Sequence, residues 1–373
     1  MAAARQAAGL YVHVPFCRHR CGYCDFNVLT GHDASLRETY VAALRQRLGQ
    51  VAADGWPAMA SVFIGGGTPT QLTAGQLGTV LGAAREQLWL REDAEVTVEA
   101  NPEDLDAAFA EGLAAAGVNR VSLGAQSFDA GVLSFLDRLH DPATVPAAVR
   151  ALRAAGIAEL GLDLIYGTPG ETAGSWAETL RAALALEPTH VSCYALTLSP
   201  GTPYWRQVTL GQRSAPDDDL AGDRMQAADE ALTAAGYERY ETSNWALPGS
   251  RCRHNLATWA GGDYLGVGAG AHSHRQGRRW WERRATHAWL RGVDAGDPVG
   301  GGEQVSPEQQ RTERALTGLR TVEGVARSDL APVDERACRD LVRAGLVIDD
   351  GEVLRPTRAG LAQADALVRA LLA

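Results

Sequence analysis

Six apolar, β-branched runs separated by amphipathic Ala/Leu/Arg-rich stretches constrain this 373-residue chain more than any other feature. The runs are Leu10–Phe16, Ser61–Ile64, Glu95–Glu99, Arg120–Leu123, Glu159–Ile165 and His190–Leu196. Between them lie Ser35–Ala53, Ala74–Gln87, Asp104–Ala116, Thr144–Ala155 and Gly174–Leu186. Runs of strand length alternating with stretches of helical period predict strand–helix units in series. Gly117 and Gly156 stand where helices stop. Serial units of this kind pair in parallel through right-handed crossovers. Six fall short of the eight that close a full barrel. The expected fold class is therefore α/β, a partial (β/α)6 barrel, with an open doubly wound sheet as the alternative.

After about Leu198 the pattern weakens. Ser214–Asp219 reads as an acidic surface loop, Asp223–Ala235 as a helix and the Gly/Pro-rich Asp297–Gly302 as a linker. Helices at Glu308–Arg320 and Asp334–Ala344, then apolar pairs around Asp350-Gly351, predict a small winged-helix-like module. The expected division is a disordered 1–9, a barrel over 10–230, an α+β extension over 231–300 and the C-terminal module over 301–373. Net charge is -10 and the module is not especially basic, which argues against nucleic acid as a partner. A structural or docking role for the module is favoured over DNA binding. Cys193, Cys252 and Cys338 are scattered, as suits a reducing cytoplasm. No signal-peptide core and no apolar run of about 18 residues occurs, so a soluble cytoplasmic chain is expected.

Polar residues fall just past the predicted strands, where parallel α/β sheets place their sites. Cys17, Cys21 and Cys24 follow the first strand in a CxxxCxxC spacing, with His19 inside the run. Ordinary four-iron, four-sulfur clusters take four thiolates, so three leave one iron open to another ligand. A zinc site is the alternative, although no second CxxC or HxxxH pair follows. Three nearby cysteines cannot pair among themselves without a leftover. Gly65-Gly66-Gly67-Thr68-Pro69 follows the second strand, offering bare backbone N–H groups or simply a tight turn. Glu99, Gln126, Arg138 and Asp163 reach the same rim. Carboxylates accept from hydroxyls or ammonium and arginine forks onto carboxylate, a combination suited to a zwitterionic nucleoside.

These motifs together resemble the radical S-adenosylmethionine (SAM) proteins, in their oxygen-independent coproporphyrinogen-oxidase-like branch. The resemblance runs from about Leu10 to Ser273 and implies that SAM chelates the open iron and is cleaved reductively. It implies a 4Fe-4S cluster on Cys17, Cys21 and Cys24. It implies SAM contacts from Tyr11, Tyr23 (within CGYC), Gly66, Gly67, Thr68, Glu99, Gln126, Arg138 and Asp163.

Within that branch two functions compete, the decarboxylating oxidase and a HemW-type heme chaperone. The oxidase motif adds a cysteine two residues beyond the cluster, where this chain has Phe26, and has a longer lead-in. The chaperones carry HNxxYW after the barrel. Here the segment is His254-Asn255-Leu256-Ala257-Thr258-Trp259, with Thr258 in place of Tyr. The resemblance implies His254 as an imidazole for heme iron and Trp259 as a stacking partner. The reading is a heme carrier with a SAM-coordinated cluster that passes heme to acceptor hemoproteins, membrane respiratory proteins among them. Membrane contact is then peripheral, and a homodimer is compatible. The alternative is a radical enzyme acting on coproporphyrinogen III or another tetrapyrrole.

Overall fold

The computed structural model describes residues 7–330 and 333–372. Its core is a parallel sheet of β1 (Ala8–Val14), β2 (Met59–Gly66), β3 (Leu90–Ala100), β4 (Arg120–Gln126), β5 (Glu159–Tyr166) and β6 (His190–Ala195). Each strand pairs with the next in sequence, so the order never reverses as it does in a doubly wound sheet. Helices α1 (Ala34–Ala52), α2 (Ala74–Gln87), α3 (Ala107–Ala115), α4 (Ala130–Phe135), α5 (Thr144–Ala154) and α6 (Ala173–Leu184) fill the crossovers. Their starts are written locally. Asp33 and Asp106 cap α1 and α3, and Thr73 and Thr172 close capping boxes on α2 and α6. Leu10, Val12, Val62, Ile64, Val98, Val121, Leu162 and Val191 point outward beneath these helices and are buried in one core. The alternate residues face the concave side.

The sheet reaches further than the six units. A helix α7 (Pro203–Thr209) and α8 (Asp218–Ala234) lead to β7 (Glu238–Arg239) and β8 (Asn244–Ala246), which extend it antiparallel beside β6. After α9 (Arg253–Trp259), β9 (Tyr264–Val267) pairs parallel with β1, and β10 (His272–Arg275), β11 (Arg278–Glu282) and β12 (Val299–Gln304) continue outward. Helix α10 (Thr286–Asp294) lies between the last two.

Three local expectations are corrected. Asp217 caps Leu220 N–H, so α8 begins inside the stretch read as a loop. The Gly/Pro-rich linker is β12, an edge strand. A Cβ on Gly301 would lie 2.6 Å from the Trp281 ring, so glycine is what lets strand and indole meet. Of the expected disordered N-terminus, residues 1–6 lie outside the described residues, while Ala8 and Gly9 already belong to β1.

The C-terminal region comprises α11 (Pro307–Gly318), β13 (Val325–Ala326), α12 (Glu335–Arg343), β14 (Val347–Asp349), β15 (Val353–Pro356), α13 (Arg358–Leu361) and α14 (Ala364–Leu371). Its three strands form a separate antiparallel sheet over a second core of Leu319, Val325, Leu354 and Leu367. Val322 N–H donates to Tyr240 O at 3.1 Å, and Arg358 pairs with Asp229, which ties this module to the barrel. Among the described residues no helix is long and apolar enough to cross a membrane.

Candidate functional site

The cysteine loop is held by hydrogen bonds along its whole length. Cys17 N–H donates to Leu29 O at 3.0 Å, and Leu29 N–H to Pro15 O at 2.7 Å, which closes the loop on itself. At its middle, Gly22 N–H donates to the Asp137 carboxylate at 3.1 Å, while Gly22 O accepts from Tyr204 N–H at 2.8 Å. Asn27 donates from Nδ2 to Ala269 O and Arg284 O, and Asn27 O contacts His13 Nε2 at 2.9 Å.

The glycine motif explains itself here. Gly67 N–H donates to Val14 O, and a Cβ on Gly67 would sit 2.7 Å from Pro15 O and 2.8 Å from Phe16 O. Backbone cannot yield as a side-chain tip can, so glycine is required. Gly66, at φ +116°, gives its N–H to Glu99 Oε2 at 3.0 Å.

A hydrogen-bond chain then joins two of the thiols. Cys17 Sγ lies 3.4 Å from Thr68 Oγ1, Asn101 Nδ2 donates to that hydroxyl, and Arg138 Nη2 donates to Asn101 Oδ1 at 2.6 Å. Arg138 Nη1 reaches Cys21 Sγ at 3.9 Å. Asn101, Asp137 and Ser122 were not singled out from sequence. Asn101 does stand in the Glu99-Ala-Asn-Pro segment, the one signal that pointed toward it.

All three cysteines line one cavity of about 980 Å³, together with Tyr23, Gly67, Thr68, Glu99, Gln126, Arg138 and Asp163. Ser122, Gly124 and Gln126 alternate along β4 into it, as period two requires. Gln126 carries a left-handed φ of +61°, where the β4–β5 register shifts. Such a conformation costs about 1–2 kcal/mol for a residue other than glycine and marks a side chain aimed deliberately. Tyr11 stands apart. Its hydroxyl meets His13 Nδ1 at 3.0 Å and its ring stacks on Phe63, so it supports the wall without lining the cavity.

Electrostatics set the cavity's character. Burial, then the neighbouring Asp163 carboxylate, pushes Glu99 up to about 7. Asp163 is also raised by burial, against hydrogen bonds from Ser192 and Ser122. Burial pushes the Cys24 thiol up to about 11 and raises Cys17 as well. A metal taken up here therefore displaces protons. Among the described residues no three His, Cys, Asp or Glu side chains are gathered to hold a single metal ion.

His254 and Trp259 lie elsewhere. Helix α9 packs against β1 and β2, and its first residues are received by the buried Glu95, which accepts from Arg253 N–H at 2.9 Å and His254 N–H at 3.0 Å. The His254 ring contacts Ser61 Oγ through Nδ1 at 2.9 Å and stacks on Phe63. Burial lowers its pKa to about 4, so the imidazole is neutral. Trp259 is half-buried beside a separate crevice of about 200 Å³ against the C-terminal module. Thr258 Oγ1 donates to His254 O within the helix.

Three thiols and strand-end carboxylates on the rim of a six-stranded parallel half-barrel define a radical SAM protein, and residues 11–183 match the radical SAM superfamily. Residues 305–362 match the HemN C-terminal domain. A heme chaperone HemW of Mycobacterium tuberculosis (strain H37Rv) is 40% identical over 372 residues, covering 98% of this chain and 95% of its own. The HemW of Bacillus subtilis is 31% identical over 360 residues, covering 94% and 95%. Among solved structures, coproporphyrinogen III oxidase (HemN) from Escherichia coli superposes with a TM-score of 0.86 at 23% identity, over 98% of this chain and 90% of that one. At that identity the likeness is one of fold. The chain belongs to the HemW family.

Proposed function

We propose that this protein is a heme chaperone, which binds heme and a SAM-coordinated 4Fe-4S cluster and hands heme to acceptor hemoproteins. The observation that carries the reading is Phe26. It stands where the decarboxylating oxidases have a further cysteine, and it opens into the cavity that the three thiols line. Two relatives that match nearly the whole chain bear the name heme chaperone.

The residues present fit the cluster. Cys17, Cys21 and Cys24 supply three thiolates, and a cubane spreads its ligands over several irons rather than gathering them on one. When bound, the group supplies an iron open to a non-protein ligand and one-electron redox chemistry. Around it, Tyr23, Gly66, Gly67 and Thr68 receive the amino-acid end of SAM. Glu99 and Asp163 accept from its ammonium and ribose hydroxyls, while Gln126 and Arg138 fix its position. Tyr11 acts through the wall behind Glu99, and His254 and Trp259 are the family's heme residues. In this division 10–230 is the barrel, 231–300 the extension and 301–373 a docking module for membrane-bound hemoprotein acceptors.

The test is a hemin titration of the anaerobically reconstituted chain. A saturable Soret change is expected, with cluster absorption that disappears on Cys17→Ala, Cys21→Ala or Cys24→Ala. No hemin binding overturns the carrier, and full iron and sulfide in those variants overturns the cluster assignment. A cavity large enough to admit a tetrapyrrole beside SAM favours one second reading, a radical enzyme on such a substrate. Product from coproporphyrinogen III with SAM and reductant would establish it.

A further inference from the structure

We propose that Asn101 is a positioning residue for the cluster, whose side-chain amide fixes the donor direction of the hydrogen bonds running between the Cys17 and Cys21 sulfurs. This rests on the cluster assignment above and is independent of where heme binds.

Asn101 begins the short helical turn Pro102–Asp104, a place where asparagine commonly spends its side chain on the local backbone N–H groups. Here it makes no such bond. The amide reaches along the cavity wall instead, with Nδ2 3.3 Å from Thr68 Oγ1 and Oδ1 2.6 Å from Arg138 Nη2. Gly124 leaves room for this meeting. A Cβ there would lie 3.4 Å from Arg138 Nη2 and 3.5 Å from Asn101 Oδ1, and Gly124 O accepts from the same Nη2 at 3.0 Å.

The partners leave the amide one orientation. A guanidinium has donors and no acceptor, so the Asn101 carbonyl must face Arg138. Its NH2 then faces Thr68, whose oxygen accepts. The Thr68 hydroxyl proton is thereby free to point at Cys17 Sγ, 3.4 Å away. At the other end Arg138 Nη1 donates toward Cys21 Sγ at 3.9 Å. Both ends of the chain present hydrogen to sulfur. Donors aimed at thiolate sulfur stabilise the more negative, reduced state of an iron–sulfur centre and raise its potential. A hydroxyl rotates to suit its neighbours and an arginine turns about several bonds. Neither sets its own direction, and the amide between them sets both.

The test is a redox titration of the anaerobically reconstituted full chain, followed by electron paramagnetic resonance, with SAM added in a second series. Asn101→Ala should lower the midpoint potential. It should also weaken SAM binding about three- to tenfold, the loss of one ordinary hydrogen bond behind Arg138. Asn101→Leu, of nearly the same shape, repeats both measurements should the alanine variant fail to load iron. Thr68→Val removes one arm of the chain. Adding Asn101→Ala to Thr68→Val should therefore lower the potential by less than Asn101→Ala does alone. Iron and sulfide assays certify the cluster in every variant. An unaltered potential in the cluster-loaded Asn101 variants overturns the proposal while the cluster assignment stands, and so does strict additivity with Thr68→Val. If the wild type takes up no iron and sulfide, the cluster assignment and this inference fall together.

Discussion

Glu95→Ala should release the HNxxxW helix from the barrel floor without unfolding the barrel. The Glu95 carboxylate is buried and accepts the N–H groups of Arg253 and His254, with the Cys252 thiol 3.5 Å away. These N–H groups open a seven-residue helix that is too short to stand alone. Alanine leaves both without an acceptor. A buried donor left unpaired costs about 1–3 kcal/mol. Arg253 N–H is part-buried and belongs at the low end, about 1 kcal/mol, and His254 N–H is buried and belongs near 2 kcal/mol. The sum, about 3 kcal/mol, corresponds to roughly a hundredfold in the opening equilibrium of α9. Hydrogen exchange followed by mass spectrometry on a peptide spanning 253–262 reads that opening directly. Exchange there should accelerate about a hundredfold in Glu95→Ala and about tenfold in Glu95→Gln, which keeps one acceptor oxygen. Peptides of β4 and β5 should be unaffected. Unchanged protection of α9 in Glu95→Ala would refute the view that this carboxylate seats the helix.

Two further outcomes follow from the cavity. Glu99 has its folded pKa raised to about 7, so between its ordinary value and 7 the folded chain binds more protons than the unfolded one. The contribution of Glu99 to the stability of the metal-free protein should then fall as pH rises from 5 to 8, while the buried histidines, whose pKa values are lowered, contribute in the opposite sense. Glu99→Gln should remove that contribution alone, since Glu171, also raised to about 7, and the histidines stay in both proteins, so the melting-temperature difference between wild type and variant should shift against the wild type from pH 5 to 8; a difference that does not change with pH would contradict the assignment. Gly67→Ala puts a methyl against Pro15 O and Phe16 O, an overpacking of about 1–3 kcal/mol that must push the backbone entering Cys17. It should lower both the melting temperature and the iron retained after reconstitution, and normal values of both would show that the loop can yield.

The barrel was legible because its signals are local. Apolar runs at Leu10, Ser61 and Glu159 and glycine stops at Gly117 and Gly156 each act within a few residues. Glu99, Gln126 and Asp163 stand out in the sequence by their place at strand ends, whereas Tyr11 and Tyr23 come only from the resemblance to the radical SAM family. What escaped depends on contacts distant in sequence. β12 reads as a linker because its glycines carry no pattern until the Trp281 ring is known to lie over Gly301. β9 is four residues long and is made a strand by β1, far earlier in the chain. Asn101 matters through Thr68 and Arg138, partners 33 and 37 residues away. His254 shows the reverse case. Its motif names a residue, yet Ser61, Phe63 and Glu95 decide its surroundings, and none of them is in the motif.

The two hydrogen bonds that clasp Gly22 bear on how the cysteine loop keeps its course. Small zinc domains fold only when metal arrives, so losing the ion means losing the structure. Here Asp137 and Tyr204 hold the loop by protein contacts alone, and Leu29 closes it. The thiols thus sit on a loop whose course is tied at its middle to two distant elements. Removing the Asp137 carboxylate should loosen that loop at Gly22 without touching any cysteine.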